Sequence, residues 1–191
     1  MNPSKENITV AVRIRPLMDR ELVNGSEISW ERSDATTIKE LKGTREFFFD
    51  RVYDPSTTTP QIFNDIARPV IEKCLNGYNG CIFCYGQTGS GKTFTMHGIK
   101  KYPGIVPLAI ESIFEIIRSS FNKEFLIRCS YIEIYNEYVN DLLDSNRLNL
   151  QLAEDSRVFV YLEWHKNNGS NRRSLYISKP STIFTRNRRK T

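Results

Sequence analysis

What this 191-residue sequence lacks narrows the field first. Its longest apolar stretches are short, Phe47-Phe48-Phe49 being typical, so no segment has the roughly 20 apolar residues of a membrane-spanning helix. The start, Met1-Asn2-Pro3-Ser4-Lys5-Glu6-Asn7, lacks the basic opening and apolar run of a secretory signal. Four cysteines in a chain of this length make no disulfide framework, and a reducing cytoplasm is the expected setting. Cys81-x-x-Cys84 invites a zinc or redox reading, but on a strand, positions three apart face opposite sides. Only two histidines are present, His97 and His165, with no ligand spacing. No serine, histidine and aspartate set suggests nucleophilic catalysis, and no internal repeat is visible. Hydrophobic residues at 39% and aromatics at 12% suffice to build a core.

The net charge of +5 matters less than its location. From 163 to 191, eight basic residues (Lys166, Arg172, Arg173, Lys179, Arg186, Arg188, Arg189, Lys190) face Glu163 alone, which leaves residues 1–162 slightly acidic. The basicity therefore belongs to a tail that is poor in core formers and without periodicity, expected to be disordered. Nucleic acid is disfavoured as the partner of the body; an RNA, DNA or acidic-surface arm remains a reading for the tail.

The body alternates strands and helices. Ile8 to Arg15 is β-branched and alternating, and Pro16 stops it. Residues 17–45 read as loop or edge structure, and Glu46-Phe47-Phe48-Phe49 as a short strand. A helix over 58–75 has Ile62, Phe63, Ile66, Val70, Ile71 and Cys74 on one face, with Thr59 as its cap, Pro60 in its first turn and a kink at Pro69. Cys81-Ile82-Phe83-Cys84-Tyr85 is an unbroken apolar run suited to a central strand covered on both faces. Then come an amphipathic helix over 105–117, a long strand over 125–135, a short helix over 137–143 and a last strand over 148–152. Such alternation predicts an α/β layered domain.

Chemistry concentrates in Gly86-Gln87-Thr88-Gly89-Ser90-Gly91-Lys92-Thr93, which matches G-x-x-x-x-G-K-[ST] between an expected strand and an expected helix. Glycines let the backbone wrap its N–H groups around phosphate oxygens. Lys92 is expected to reach the β- and γ-phosphates, and the Thr93 hydroxyl to ligate Mg²⁺. The loop does not choose the base, although N-K-x-D, which would suggest guanine, is absent. Asp50, after an apolar triplet, superficially resembles the strand-end acid of such sites; a turn-forming aspartate is the favoured reading.

These residues resemble a family, the kinesin motor domain. The resemblance is carried by the first strand ending in Arg13-Ile14-Arg15-Pro16, by Phe49-Asp50-Arg51-Val52-Tyr53, and by Gly77-Tyr78-Asn79-Gly80. It continues through the phosphate loop with Phe94-Thr95-Met96 and Gly104-Ile105-Val106-Pro107. Ser130-Tyr131-Ile132-Glu133-Ile134-Tyr135-Asn136-Glu137 and Asp141-Leu142-Leu143 complete it, over residues 8 to about 155. The resemblance implies a P-loop NTPase-type three-layer sandwich, with a central mostly parallel sheet and helices on both faces, here incomplete. It implies ATP and Mg²⁺ as cofactors, with Arg13 and Pro16 flanking the adenine, Tyr78 nearby and Phe94 stacking on the base. It further implies a microtubule partner, no membrane, and a cytoplasmic, cytoskeletal location.

The sequence also departs from the family. The motifs N-x-x-S-S-R-S-H and D-L-A-G-S/T-E, which serve γ-phosphate sensing and hydrolysis in kinesins, do not occur, so no catalytic residue is assigned. The expected division is a motor portion over 1–162 and a divergent basic tail over 163–191. The change of character near 156–163 suggests a truncated or frame-shifted coding record, ahead of a short protein or a half-motor completed by another chain. The competing functions are an ATP-driven microtubule motor, a nucleotide-binding remnant that does not hydrolyse, and a basic-tailed binder of nucleic acid or an acidic partner.

Overall fold

The computed structural model describes residues 8–120, 123–127, 129–155, 158–164, 173–176 and 184–187. The chain divides into two units, Met1–Glu72 with Cys81–Ile116, and Lys73–Gly80 with Ile117–Thr191.

In the first unit, strand β1 (Ala11–Arg13) is shorter than its apolar pattern. Helix α1 (Asp19–Val23) follows; Glu21 reaches back to the Met18 N–H at its start and pairs with Arg15. Residues read as loop or edge instead supply two strands, β2 (Trp30–Arg32) and β3 (Thr37–Glu40), which with β4 (Glu46–Phe48) form an antiparallel sheet. Their short apolar content is enough because the rings gather: Trp30 and Phe47 meet at 5.6 Å, and the Arg45 guanidinium lies 5.3 Å from the Trp30 ring. Strand β5 (Arg51–Tyr53) then runs parallel to β1, with Val12 opposite Val52 and Arg13 opposite Tyr53.

The long helix begins at α2 (Thr59–Ile62), one residue away from expectation. Thr58 is the cap and shares the Gln61 side-chain oxygen through both its N–H and its hydroxyl, each at 2.8 Å. The reason lies across the fold: the Thr59 hydroxyl accepts a hydrogen bond from Arg13. Instead of a simple kink at Pro69, a π-helical turn (Phe63–Ala67) leads into α3 (Arg68–Leu75). Proline has no N–H to give the carbonyl four residues back and its ring crowds that carbonyl, so widening the preceding turn relieves both. Phe63, Ala67 and Ile71 stay buried at four-residue spacing, and Val52, Tyr53, Ile62 and Ile105 are buried in the same unit.

The run 81–85 is not a paired strand among the described residues. It alternates instead: Ile82 and Cys84 are half-buried, whereas Cys81, Phe83 and Tyr85 are exposed. An unbroken apolar sequence reports capacity to be covered on two faces, and here one face is covered. Cys81 and Cys84 do lie on opposite sides, as alternation requires, and all four cysteines are free. Helix α4 (Lys92–Met96) follows the phosphate loop, and the two-residue strands β6 (Gly98–Ile99) and β7 (Tyr102–Pro103) form a tight hairpin. Helix α5 (Ile105–Ser119) is the amphipathic helix expected.

In the second unit, Gly77 closes α3 in the left-handed conformation, with the Tyr78 N–H donating to the Lys73 carbonyl and the Gly77 N–H to that of Cys74. The expected long strand is divided into β8 (Lys123–Leu126) and β9 (Ile132–Tyr135), and the expected helix at 137–143 is a strand, β10 (Tyr138–Asp141). The cause is Asn136 and Glu137, both at positive φ (47° and 68°), which turn β9 directly back onto β10. Val139 and Leu150 form a small buried cluster with Ile132 against it. Strands β11 (Gln151–Asp155), β12 (Val158–Trp164) and β13 (Arg173–Tyr176) form an antiparallel sheet, and β14 (Phe184–Asn187) pairs antiparallel with β8. Two of these strands fall within the stretch expected to be a disordered tail; the rest of 165–191 lies outside the described residues. Among the described residues no helix is long and apolar enough to cross a membrane.

Candidate nucleotide site

The phosphate loop is built from backbone conformations that glycine alone adopts cheaply. Gly89 and Gly91 stand at φ 83° and 94°, the latter as the residue from which α4 starts. Lys92 folds back over the loop, its Nζ donating to the carbonyls of Gly86 and Gln87, each at 2.8 Å. The Ser90 N–H closes a turn onto the Gln87 carbonyl, and the Thr95 N–H begins the helical ladder at the Gly91 carbonyl. Gln87 and Thr88 are exposed at the loop's crest. A cation is thus fixed within a curved run of backbone. Because α4 has only five residues, its dipole contributes less than a long helix would, and the positive field at the loop comes mostly from its amides and Lys92.

A second group of residues gathers around Arg13 at the end of β1. Its Nη1 donates to the Thr59 hydroxyl at 3.0 Å and the Thr95 hydroxyl at 3.1 Å, and Nη2 approaches the Thr57 carbonyl at 3.5 Å. The guanidinium carbon lies 5.3 Å from the centre of the Phe94 ring, a cation–π distance. Burial lowers the pKa of Arg13, opposed by the nearby Cys84. Phe94 keeps 40% of its surface exposed. Pro16 is exposed three residues beyond Arg13, and its carbonyl accepts from Arg15.

The structure thus brings Arg13 and Phe94 together, on the unit that also holds Gly86 to Thr93. Tyr78 belongs to the second unit, where its ring is exposed. Thr57, Thr59 and Thr95 were missed from the sequence. Thr59 looked like a helix cap, and Thr95 carried no signal beyond its place one residue after Phe94.

Asp50 has a structural role, but a long-range one and not the turn expected of it: its carboxylate accepts a hydrogen bond from the Val10 N–H at 2.8 Å, forty positions away. For magnesium, the residues present fit a phosphate-bound ion. Thr93 is exposed in the first turn of α4 and offers a hard hydroxyl oxygen. Magnesium characteristically takes few protein ligands and completes its shell with phosphate oxygens and water. Among the described residues no group of three His, Cys, Asp or Glu side chains is placed to hold a metal, and a phosphate-bound ion does not call for one.

A family profile described as the kinesin motor domain matches residues 13–172. The chain belongs to the kinesin motor family. The match runs past the motifs found up to about 155 and reaches into the basic segment. Similar proteins include the kinesin-like protein KIN-7C, mitochondrial, of Arabidopsis thaliana, 42% identical over 202 residues covering 95% of this chain and 23% of that protein. Kinesin-like protein KIN-7K, chloroplastic, of Oryza sativa subsp. japonica is 40% identical over 204 residues, covering 95% of this chain and 19% of its own length. A solved structure, described as that of a fast kinesin with implications for ATPase mechanism and interactions with microtubules, superposes with a TM-score of 0.77 at 34% identity. It is covered to 49%, against 90% of this chain. The chain therefore spans about a fifth of these plant relatives and about half of the solved motor. Its fold is the P-loop NTPase fold of the kinesin motor, in part, with β1 and β5 as the parallel strands. Kinesin motors as a family bind ATP with magnesium.

Proposed function

We propose that this chain is the nucleotide-binding part of an ATP-driven microtubule motor. The observation that carries the reading is Lys92 held inside the Gly86–Gln87 curve while Phe94, two residues on, faces Arg13. A phosphate-binding end and a base-binding end are then spaced by one short helix. The amides from Gly86 to Lys92 hold the phosphate oxygens and Lys92 neutralises charge at the β- and γ-positions. Thr93 is the protein ligand for Mg²⁺, which when bound shields the same oxygens. Arg13, Pro16 and Phe94, all on the first unit, take the adenine.

Microtubules are proposed as the track because a solved member of the family is described by its interactions with them. A cytoplasmic, cytoskeletal location goes with that proposal, although two of the similar plant proteins carry organelle names. The motor portion is placed at 1–162, with 163–191 as a distinct basic segment; the family match extends ten residues beyond that boundary.

A second reading, binding without hydrolysis, is favoured by one observation. The 191 residues contain neither N-x-x-S-S-R-S-H nor D-L-A-G-S/T-E, so no group for positioning water is assigned within them. MgATP titration of the chain and of Lys92→Ala tests the site. Binding by the former and loss in the latter are expected; equal binding overturns the assignment. Phosphate release measured on the same sample separates the two readings.

A further inference from the structure

We infer that Thr95 and Thr59 are positioning residues for base recognition, holding the Arg13 guanidinium over Phe94 before nucleotide arrives. The inference rests on the nucleotide reading above. An arginine side chain has many rotamers, and a guanidinium ordered only on binding would lose that freedom at the expense of affinity. Here the freedom is removed by folding. Nη1 is shared between the Thr59 hydroxyl at 3.0 Å and the Thr95 hydroxyl at 3.1 Å, and Nη2 has the Thr57 carbonyl at 3.5 Å.

The two threonines come from different elements. Thr59 opens α2 and is buried at 3% exposure, so its hydroxyl needs the partner that Arg13 supplies. Thr95 sits in α4, next to Phe94 and three residues after Lys92. One guanidinium thus ties β1, α2 and α4 together, and α4 presents both the phosphate lysine and the hydroxyl that orients the base-side arginine. A hydroxyl is required at Thr95: a methyl in its place keeps the shape but offers Nη1 no acceptor. The consequence is specific to the base. Loss of the Thr95 hydroxyl removes one of the guanidinium's three acceptors, loosening Arg13 without touching the loop amides or Lys92.

The test compares Mg-ATP with Mg-tripolyphosphate, which carries the phosphate chain and no base, on the full 191-residue chain. Thr95→Val is expected to weaken Mg-ATP about fivefold, the worth of one hydrogen bond, while leaving tripolyphosphate affinity unchanged. Thr95→Ser, which restores the hydroxyl, is expected to recover ATP affinity, and Thr59→Val to act as Thr95→Val does. Unchanged ATP affinity in Thr95→Val, or equal weakening of both ligands, overturns the positioning role. A wild-type chain that binds ATP no better than tripolyphosphate removes the base site itself, and one that binds neither removes the nucleotide reading.

Discussion

Val10 and Asp50 grip each other twice: the Val10 N–H donates to Asp50 Oδ2 at 2.8 Å, and the Asp50 N–H donates to the Val10 carbonyl at 3.0 Å. This exchange extends the β1–β5 pairing by one rung and uses the carboxylate as a backbone acceptor. Asp50→Ala is therefore expected to expose the Val10 amide and to cost about 1 kcal/mol locally. Asp50→Asn, which keeps an oxygen in place, is expected to cost less. Amide exchange at Val10 and along 51–53 reads this directly. Unaltered exchange in Asp50→Ala, together with lost MgATP binding, would return the residue to a role at the metal.

The loop makes a similarly local prediction at Gly91. At φ 94° an alanine is strained by roughly 1–2 kcal/mol. Added Cβ atoms at Gly89 and Gly91 meet nothing within 4 Å, so the strain is conformational and not steric crowding. Gly91→Ala is expected to weaken both MgATP and tripolyphosphate, because it distorts the backbone that both ligands use. A variant that discriminates between them would contradict that account.

How much of this was legible beforehand depended on whether the information was local. The phosphate loop could be read because its glycines and lysine are contiguous, and α5 because its apolar period persists through fifteen residues. The cap at Thr58 was misplaced by one residue because Thr59 is engaged by Arg13, forty-six positions away. The Asn136–Glu137 turn was missed because glutamate seldom adopts a positive φ, so the pattern continued falsely into a helix. The run 81–85 was overread because apolar composition does not state what lies on each side. The Arg13 network escaped for the same reason as the cap: threonine hydroxyls become informative only once a distant guanidinium is placed beside them.

Acid is expected to loosen the segment at α1. Glu21 receives two hydrogen bonds from Arg15, at 2.7 and 2.5 Å, and one from the Met18 N–H. Arg15 first, then Met18, lower the carboxyl from an ordinary 4.5 to about 2. A depressed carboxyl stabilises the folded form above its unfolded value, and that contribution disappears as pH falls from about 4.5 through about 2. Glu21→Gln is expected to abolish this pH response around α1. Carboxyl chemical shifts across that range measure it, and a Glu21 midpoint near 4.5 would contradict the pairing.

The exposed apolar side chains carry a solution prediction. Phe83 and Tyr85 are 78% and 95% exposed on a segment that has no ladder partner among the described residues, and Phe48 is 73% exposed at the end of β4. Such groups and open strand edges favour association and loose packing. The isolated chain is expected to bind a hydrophobic dye, to unfold over a broad temperature range and to aggregate as concentration rises. A single sharp thermal transition with no dye binding would be the contrary result.

The β9–β10 turn offers a stabilising substitution. Asn136 at φ 47° and Glu137 at φ 68° form a two-residue connection of the mirror-image type that suits strand twist. Asparagine tolerates the left-handed region, whereas glutamate is strained there by roughly 1–2 kcal/mol. Glu137→Gly removes that strain, and the greater freedom glycine gives the unfolded chain returns a few tenths to about 1 kcal/mol of it. The balance is a more stable hairpin with unchanged register, Tyr135 still opposite Tyr138 and Ile134 opposite Val139. Slower amide exchange along 132–135 and 138–141 in Glu137→Gly is the expected outcome. Faster exchange would mean that the glutamate side chain holds the turn by an interaction stronger than the strain.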